Sequence, residues 1–419
     1  MSRWKRNLIV LCAAQLATMM GFSSYGSFIP YYLQEIGVSS YNLALAWTAA
    51  FNSGAAIAMM IASPVWGSLA DRFGRKVMLV RATAAGAVLA GLMGLVTSPM
   101  QLIVIRVLQG ALCGTMGAAM TLVATETPED KLATSLGTMQ TAQYVGLAIG
   151  PLVGGLLADA TSYRMVFPLA AVIMALALLA IILWVHEETA KRTSLPAAKA
   201  RLAPRGFKGM FSANSLLLII TLGSTSFAMA VLSPIMPLYI QSLVSDSSRL
   251  ATIAGLVISA SAVTTAISAL WIGRLGDRIG YKQVLVFCVI GVALIFIPQG
   301  FIRSPWQLLV LRAFQGVFIG GILPTANALL AWATPHENRG TVFGLATSAQ
   351  SGGNALGPVV GAAMAGSFGL ASGFFLTAGI FGVIALLLML FVKRNIGNSA
   401  ATEEIPCPTV VTEQRVLDE

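Results

Sequence analysis

Twelve times along its 419 residues the chain runs for roughly twenty residues with almost no charge, the length an α-helix needs to cross a hydrocarbon core about 30 Å thick. The runs predict spans at Leu8 to Leu33, Leu43 to Leu69, Val77 to Val96, Leu102 to Ala124, Leu136 to Leu157 and Val166 to Val185. A second six follow at Leu216 to Ile240, Ile253 to Leu275, Val284 to Ile302, Leu308 to Leu330, Val342 to Ala365 and Ser372 to Val392. Apolar residues make up 57% of the chain and charged ones 10%, against roughly 45–50% and about 25% in soluble domains. One globular core cannot hide that much apolar surface, so lipid must solvate it, and an all-α integral membrane protein is expected. The first run exceeds a signal-peptide core and ends without a small-residue cleavage site, so it should remain in the mature protein. Cys12, Cys113, Cys288 and Cys407 show no disulfide or metal-ligand spacing, and neither metal nor cofactor is expected.

A net charge of +10 invites a nucleic-acid reading, but its placement answers differently. With the N-terminus in the cytoplasm, only Arg164, Arg249 and Arg303 fall outside, and Arg81, Arg106 and Arg312 fall within spans. Every other basic residue lies on the cytoplasmic side, the bias that orients membrane proteins. Both termini are therefore expected in the cytoplasm, in a multi-pass protein of the cell (inner) membrane with no nucleic-acid partner.

The two sets of six are copies. Thr97-Ser98-Pro99-Met100-Gln101-Leu102 recurs as Arg303-Ser304-Pro305-Trp306-Gln307-Leu308, and Gly67 through Lys76 recurs as Gly273 through Lys282, both at an offset of 206. Pro30 pairs with Pro237, Gln143 with Gln350, and Gly150-Pro151 with Gly357-Pro358, at 207. Because each copy has six spans, the second starts on the same membrane side, so the repeats are parallel and related by an axis along the membrane normal. The expected architecture is twelve transmembrane helices in two parallel pseudo-symmetric six-helix bundles, residues 1–185 and 214–394. A cytoplasmic linker, 186–213, joins them, and a disordered cytoplasmic tail, 395–419, follows. Two bodies sharing one interface can rock about it and expose a central site to either side.

At these residues the chain resembles the major facilitator superfamily, over residues 1 to about 395. Gly67 through Lys76 resembles that family's loop signature between the second and third spans. Leu102, Arg106, Gln109 and Gly110 resemble its fourth-span signature. Gly146, Gly150, Pro151, Gly154 and Gly155 resemble the fifth-span motif of its twelve-span drug:proton antiporters, which separates exporters from the sugar and metabolite symporters. The resemblance implies secondary active export of small lipophilic molecules, with protons as coupling ion and the bilayer itself as partners, by a monomer that is not an enzyme.

The residues supply physical roles for that reading. Gly67 and Gly74 permit close approach and unusual dihedrals in a sharp turn, and Gly273 and Gly280 repeat them. Arg72, Arg75, Lys76 and Arg278 fix orientation, but Asp71 and Asp277 add nothing to orientation and need partners. By symmetry, Asp71 should meet the positive N-terminal end of the eleventh span near Gly340 and Thr341, and Asp277 that of the fifth near Thr134 and Ser135. These clasps would close the cytoplasmic side. Gly146, Gly150 and Gly154, with Pro151, make a flat helix face, repeated by Gly357 and Pro358, and suggest a gate between the halves. Arg106 and Arg312 each cost roughly 2.5–3.5 kcal/mol at a helix centre and should face inward, with Gln109 and Gln315 on the same faces; Asp71, Arg106, Arg312 and Glu126 are the coupling candidates.

A chamber between the halves would draw on Tyr25, Phe28, Tyr31, Asn52, Gln109, Gln140, Tyr144, Phe227, Met236, Phe314, Gln315, Asn327, Gln350 and Asn354, since aromatics and Met re-pack around varied guests. No acid lies deep in a span. Glu35, Asp71, Glu126, Asp159 and Asp277 come nearest, so coupling must use a motif or end-of-helix acid, rely on another driving ion or be absent, and a lipophilic cation would lack a buried counter-ion. A dedicated carrier of one metabolite fits the same fold. A membrane enzyme does not, because His186 and His336 sit in loops and no carboxylates pair at depth, and one Arg per half does not build a channel's ring.

Overall fold

The computed structural model describes residues 3–128, 131–187, 213–244, 249–335 and 338–391, apart from the side chains of Asp71, Met116, Ala133, Leu270, Gly273 and Asp277. The proposed tail and nearly all of the proposed linker, with His336, lie outside the described residues. Regular structure among the described residues is helical throughout. In the first half it comprises α1 (Arg3–Ser24), α2 (Ile29–Glu35), α3 (Tyr41–Phe73), α4 (Arg75–Met93), α5 (Pro99–Leu112), α6 (Thr115–Glu126), α7 (Leu132–Ala160) and α8 (Tyr163–Trp184). The second half holds α9 (Ala213–Val231), α10 (Ile235–Leu243), α11 (Leu250–Ile279), α12 (Tyr281–Gln299), α13 (Pro305–Trp332), α14 (Arg339–Phe368) and α15 (Ala371–Phe391).

Twelve spans result, three of them broken. The first is α1 with α2 and the seventh α9 with α10, each interrupted where a proline at the start of the second piece, Pro30 or Pro234, removes a helical N–H. The fourth breaks between α5 and α6 at Cys113 and Gly114, whereas its repeat, α13, is continuous. Counting α5 with α6 as one, eleven described helical stretches are apolar and long enough to cross a membrane; α14 is not among them, because Thr341, Thr347, Ser348, Ser351 and Asn354 dilute it.

The repeated Ser-Pro-x-Gln motif is a helix start. The Ser98 hydroxyl accepts from the Gln101 backbone N–H at 3.4 Å, and the Gln101 side-chain oxygen accepts from Thr97 N–H at 2.9 Å, a reciprocal cap. In the second copy Gln307 accepts from Arg303 N–H at 3.1 Å. The α3–α4 and α11–α12 turns each hinge on one glycine, Gly74 or Gly280, at φ +96°, where a Cβ is strained.

Each half packs mainly on itself, α1 against α7 and α8, α9 against α14, and α11 against α13. The halves meet through α7 with α11 and α3 with α14. Their contacts concentrate at the face away from the linker. There the Tyr31 hydroxyl donates to the Pro237 carbonyl, and the Gln34 and Gln241 amides, equivalent residues of the two copies, bond reciprocally at 3.1 and 3.0 Å. The Asp159 carboxylate, at the end of α7, accepts the backbone N–H groups of Ala251 (3.2 Å) and Thr252 (2.7 Å), capping α11 across the interface. At the linker face the helices part. A Cβ added at Gly67, Gly137, Gly340, Gly344 or Gly352 would meet nothing within 4 Å.

Candidate functional site

Arg106 projects from α5 inside the first half. Its guanidinium donates to the Gln109 side-chain oxygen and, at 3.2 Å, to the Tyr25 hydroxyl. Tyr25 donates to the same Gln109 oxygen at 3.0 Å, and the guanidinium sits 4.6 Å from the centre of the Phe51 ring. Spacing of three residues puts Arg106 and Gln109 on one helix face, and the break after α2's predecessor brings Tyr25 to them. The result is a cation held inside the membrane by neutral dipoles and ring faces, pointing inward as its cost in lipid requires. Arg312 also points inward, at 7% exposed, but its surroundings differ. Gln315 accepts instead from Gln299 at 2.9 Å, and while Nε is buried without a hydrogen-bond partner in both arginines, only Arg106 has the phenol and amide contacts.

Of the loop residues, Gly74 and Gly280 make the expected turns, while Gly67 has open space rather than a close neighbour. The side chains of Asp71, Gly273 and Asp277 lie outside the described residues, so the expected clasps carry no observed contact. Within the first half another acid caps a helix start. The Glu187 carboxylate, after α8, accepts from Arg75 and Lys76 backbone N–H groups at 2.9 Å each, capping α4. Lys76 Nζ returns to the Ile182 carbonyl at 3.1 Å, Arg72 lies 5.4 Å from the Phe73 ring, and Arg278 is exposed. Beside this cap, Asn7, 2% exposed, donates to Glu126 at 3.0 Å and to the His186 carbonyl at 2.7 Å. Asn7 and Glu187 escaped the sequence reading. An amide immediately before the first apolar run was the available signal for Asn7, whereas nothing local marks Glu187.

The glycine stripes close helices within a half. Cβ atoms at Gly146, Gly150 and Gly154 would overlap Leu16, Ser23 and Ser24 of α1, and at Gly357 and Gly361 would overlap Phe227 and Val231 of α9. Across the halves the close approach is of Pro151 to Gly255 and of Gly155 to Ala251, so Pro151 and Gly155 stand at the interface while Gly146, Gly150 and Gly154 do not; Pro358 is buried in α14.

The chamber candidates divide. Tyr25 and Phe28 stack at 5.4 Å on Phe167 and Tyr163 of α8, in the core of the first half, and Met236 is buried at 3% exposure. Tyr31 and Asn52 lie at the interface, Asn52 donating to Ser233 at 3.4 Å. Gln140 donates to Tyr144 at 3.3 Å along α7, where Thr134, Gly137, Thr138 and Thr141 are exposed with Tyr144. On α14 the exposed residues include Thr341, Gly344, Thr347, Ser348 and Asn354. Phe227, Asn327 and Gln350 are half-buried, Phe314 is 59% exposed and Gln315 is buried. Polar exposed faces on spanning helices belong beside a water-filled space rather than lipid, and α7 and α14 carry them over the halves that splay.

Two parallel six-span bundles around inward-facing span charges define a membrane transporter, not an enzyme. Residues 11–248 and 225–413 match the model of the Major Facilitator Superfamily, and the chain belongs to that family. It is 35% identical over 380 residues to multidrug resistance protein MdtG of Salmonella dublin, covering 90% of this chain and 93% of the relative. To the protein of that name from Enterobacter lignolyticus it is 34% identical over 402 residues, covering 95% and 94%. Among solved structures, the nucleoside transporter NupG aligns with a TM-score of 0.71 at 17% identity, covering 91% of this chain and 98% of that one. A D-xylose-proton symporter aligns at 0.73 and 17%, covering 92% and 98%. At such identity the likeness is one of fold.

Proposed function

We propose that this chain exports small lipophilic molecules by alternating access, as a multidrug efflux transporter coupled to protons, acting as a monomer with both termini in the cytoplasm. The halves are residues 1–185 and 214–394, with 186–213 linking them. The observation that carries the reading is the wedge. The halves are bonded at one face through Tyr31, Gln34, Gln241 and Asp159 and open at the linker face, as a carrier waiting for a substrate from that side would be. Export requires the reverse wedge. Asp159 would then release α11, while the Asp71 and Asp277 loops close onto the first turns of α14 and α7, where Gly340, Thr341 and Thr134 are exposed. Proton coupling fits an acid at a helix end, since protonating a carboxylate that caps a helix weakens the cap.

The test is efflux of lipophilic dyes from cells with and without a protonophore, comparing the intact chain with Arg106→Ala and Asp71→Asn at equal membrane levels. Protonophore-sensitive efflux, lost at least tenfold in Arg106→Ala and reduced in Asp71→Asn, is the expected result. Efflux of one metabolite with unrelated dyes ignored would make the chain a dedicated carrier and overturn the multidrug reading.

A further inference from the structure

In the first half α3 and α6 diverge beyond Gly110, and α4 closes the gap on its third side. The cavity between them holds about 350 Å³, within the roughly 300–1,000 Å³ of small-molecule sites. Arg81 enters it from α4. Its guanidinium lies 3.3 Å from the centre of the Trp66 ring, and the ring is fixed by its indole N–H donating to the Ala111 carbonyl at 2.6 Å. Nε and Nη1 of Arg81 are both buried with no hydrogen-bond partner. Buried donors in folded chains are nearly always paired, and two unpaired ones on a charged group are costly, so an acceptor from outside the chain is called for.

The other walls say what kind of acceptor. The cavity is bordered by Gly114 and Gly117, the cap and first turn of the 12-residue α6, which has no side-chain cap. Its first N–H groups lack partners within the helix, and the dipole there favours an anion. Arg75 lines the cavity, no carboxylate is among its described lining residues, and Met59 and Met78 make apolar sides. The second half shows that this is not a by-product of the helix pattern. Phe287 replaces Arg81 and Ile272 replaces Trp66 at an offset of 206. There Phe287 packs against Phe318 at 5.5 Å, and Cβ atoms at Gly316, Gly320 and Gly321 would overlap α11, so no gap forms.

We propose that this cavity binds the anionic headgroup of a bilayer amphiphile, a phosphate or carboxylate, with Arg81 and the first turn of α6 as its donors and the acyl chain along Met59 and Met78. It is a site apart from the space between the halves and does not depend on what the chain exports. A free anion shares the headgroup chemistry, and the apolar walls decide for the amphiphile.

Native mass spectrometry of the full chain, titrated with dodecyl phosphate and separately with inorganic phosphate, tests it. Expected are one saturable dodecyl phosphate per chain, at least tenfold weaker binding of inorganic phosphate, and at least tenfold weaker binding of dodecyl phosphate to Arg81→Gln. Gly117→Leu, introduced where a Cβ has open space, should also block the alkyl ligand while leaving the ligand-free thermal midpoint unchanged, and it carries the test alone if Arg81→Gln does not fold. Undiminished binding to either folded variant overturns the site. Inorganic phosphate binding as tightly as the alkyl ligand overturns the amphiphile in favour of a free anion.

Discussion

The two halves share a repeat but not a packing. In the second, α11 and α13 stay together along their length, with Gly316, Gly320 and Gly321 set into Ser261, Thr265, Ser268 and Ile272. In the first, α3 and α5 stay together only to Gly110, whose added Cβ would overlap Ala55; beyond it Gly114 and Gly117 face open space. Gly320 and Gly114 are equivalent positions, so identical glycines do opposite things. One admits a neighbouring backbone inside an unbroken helix, and the other marks where the helix breaks. The same asymmetry runs through the charges. Arg106 has a phenol, an amide and a ring around it, while Arg312 is more deeply buried among fewer polar groups. The lesson is that the repeat sets topology and each half then spends its polar groups differently, the first on adjustable contacts and the second on a fixed scaffold.

The comparison breaks most readily at the glycines. Gly320→Ala should destabilise by about 1–3 kcal/mol, because its Cβ meets Ser268 Oγ and the Thr265 carbonyl in a packed seam, whereas Gly114→Ala should leave stability within about 0.5 kcal/mol. Thermal unfolding of the purified chain reads both, and equal losses would remove the claim that the seams differ. A smaller effect separates the arginines. Arg312→Met should stabilise by on the order of 1 kcal/mol, since a nearly wholly buried charge without the phenol and amide that Arg106 has leaves an apolar seam. Arg106→Met should destabilise by a similar amount, leaving Tyr25 and Gln109 without their donor. Opposite signs in the two thermal midpoints are the expected outcome, and like signs would mean the two sites are energetically one.

How much of this the residues disclosed depends on range. Span number and the parallel repeat follow from local pattern, and the structure has them, with the fourth and tenth spans starting at Pro99 and Pro305, three residues before the expected Leu102 and Leu308. The closeness signalled by Gly146, Gly150 and Gly154 was legible, but not the partner. A flat face says only that some helix approaches, and α1 rather than the other half does so. Tyr25, Phe28 and Met236 illustrate the same limit, because an aromatic or Met facing a bundle core has the same helical spacing as one facing a chamber. Asp159 was recognisable as an end-of-span acid, while its partners, Ala251 and Thr252, belong to a helix about ninety residues on and exist only once the halves dock. The break at Cys113 and Gly114 had no local signal either, since Gly320 and Gly321 stay helical in the copy; packing against α11 decides it.

The finest distinction lies at the two glycine turns. Gly74 and Gly280 share a φ of +96°, yet a Cβ at Gly74 would lie 3.1 Å from the Glu187 carboxylate, and one at Gly280 would meet nothing within 4 Å. Only the first turn therefore has an acid capping the helix that follows it, among the described residues. Glu187→Gln keeps one acceptor but loses the charge and one of two backbone bonds. A loss of about 0.3–1 kcal/mol is expected from the weakened interaction with the α4 N-terminus. The electrostatic part should shrink as salt rises from low ionic strength to about 1 M, where screening reaches about 3 Å. Thermal midpoints of the intact chain and the variant at both salt concentrations give the answer. A difference that does not change with salt would assign the cap to hydrogen-bond geometry alone. No difference at either would make the two turns equivalent, and the first half's extra tie between α8 and α4 would have no energetic content.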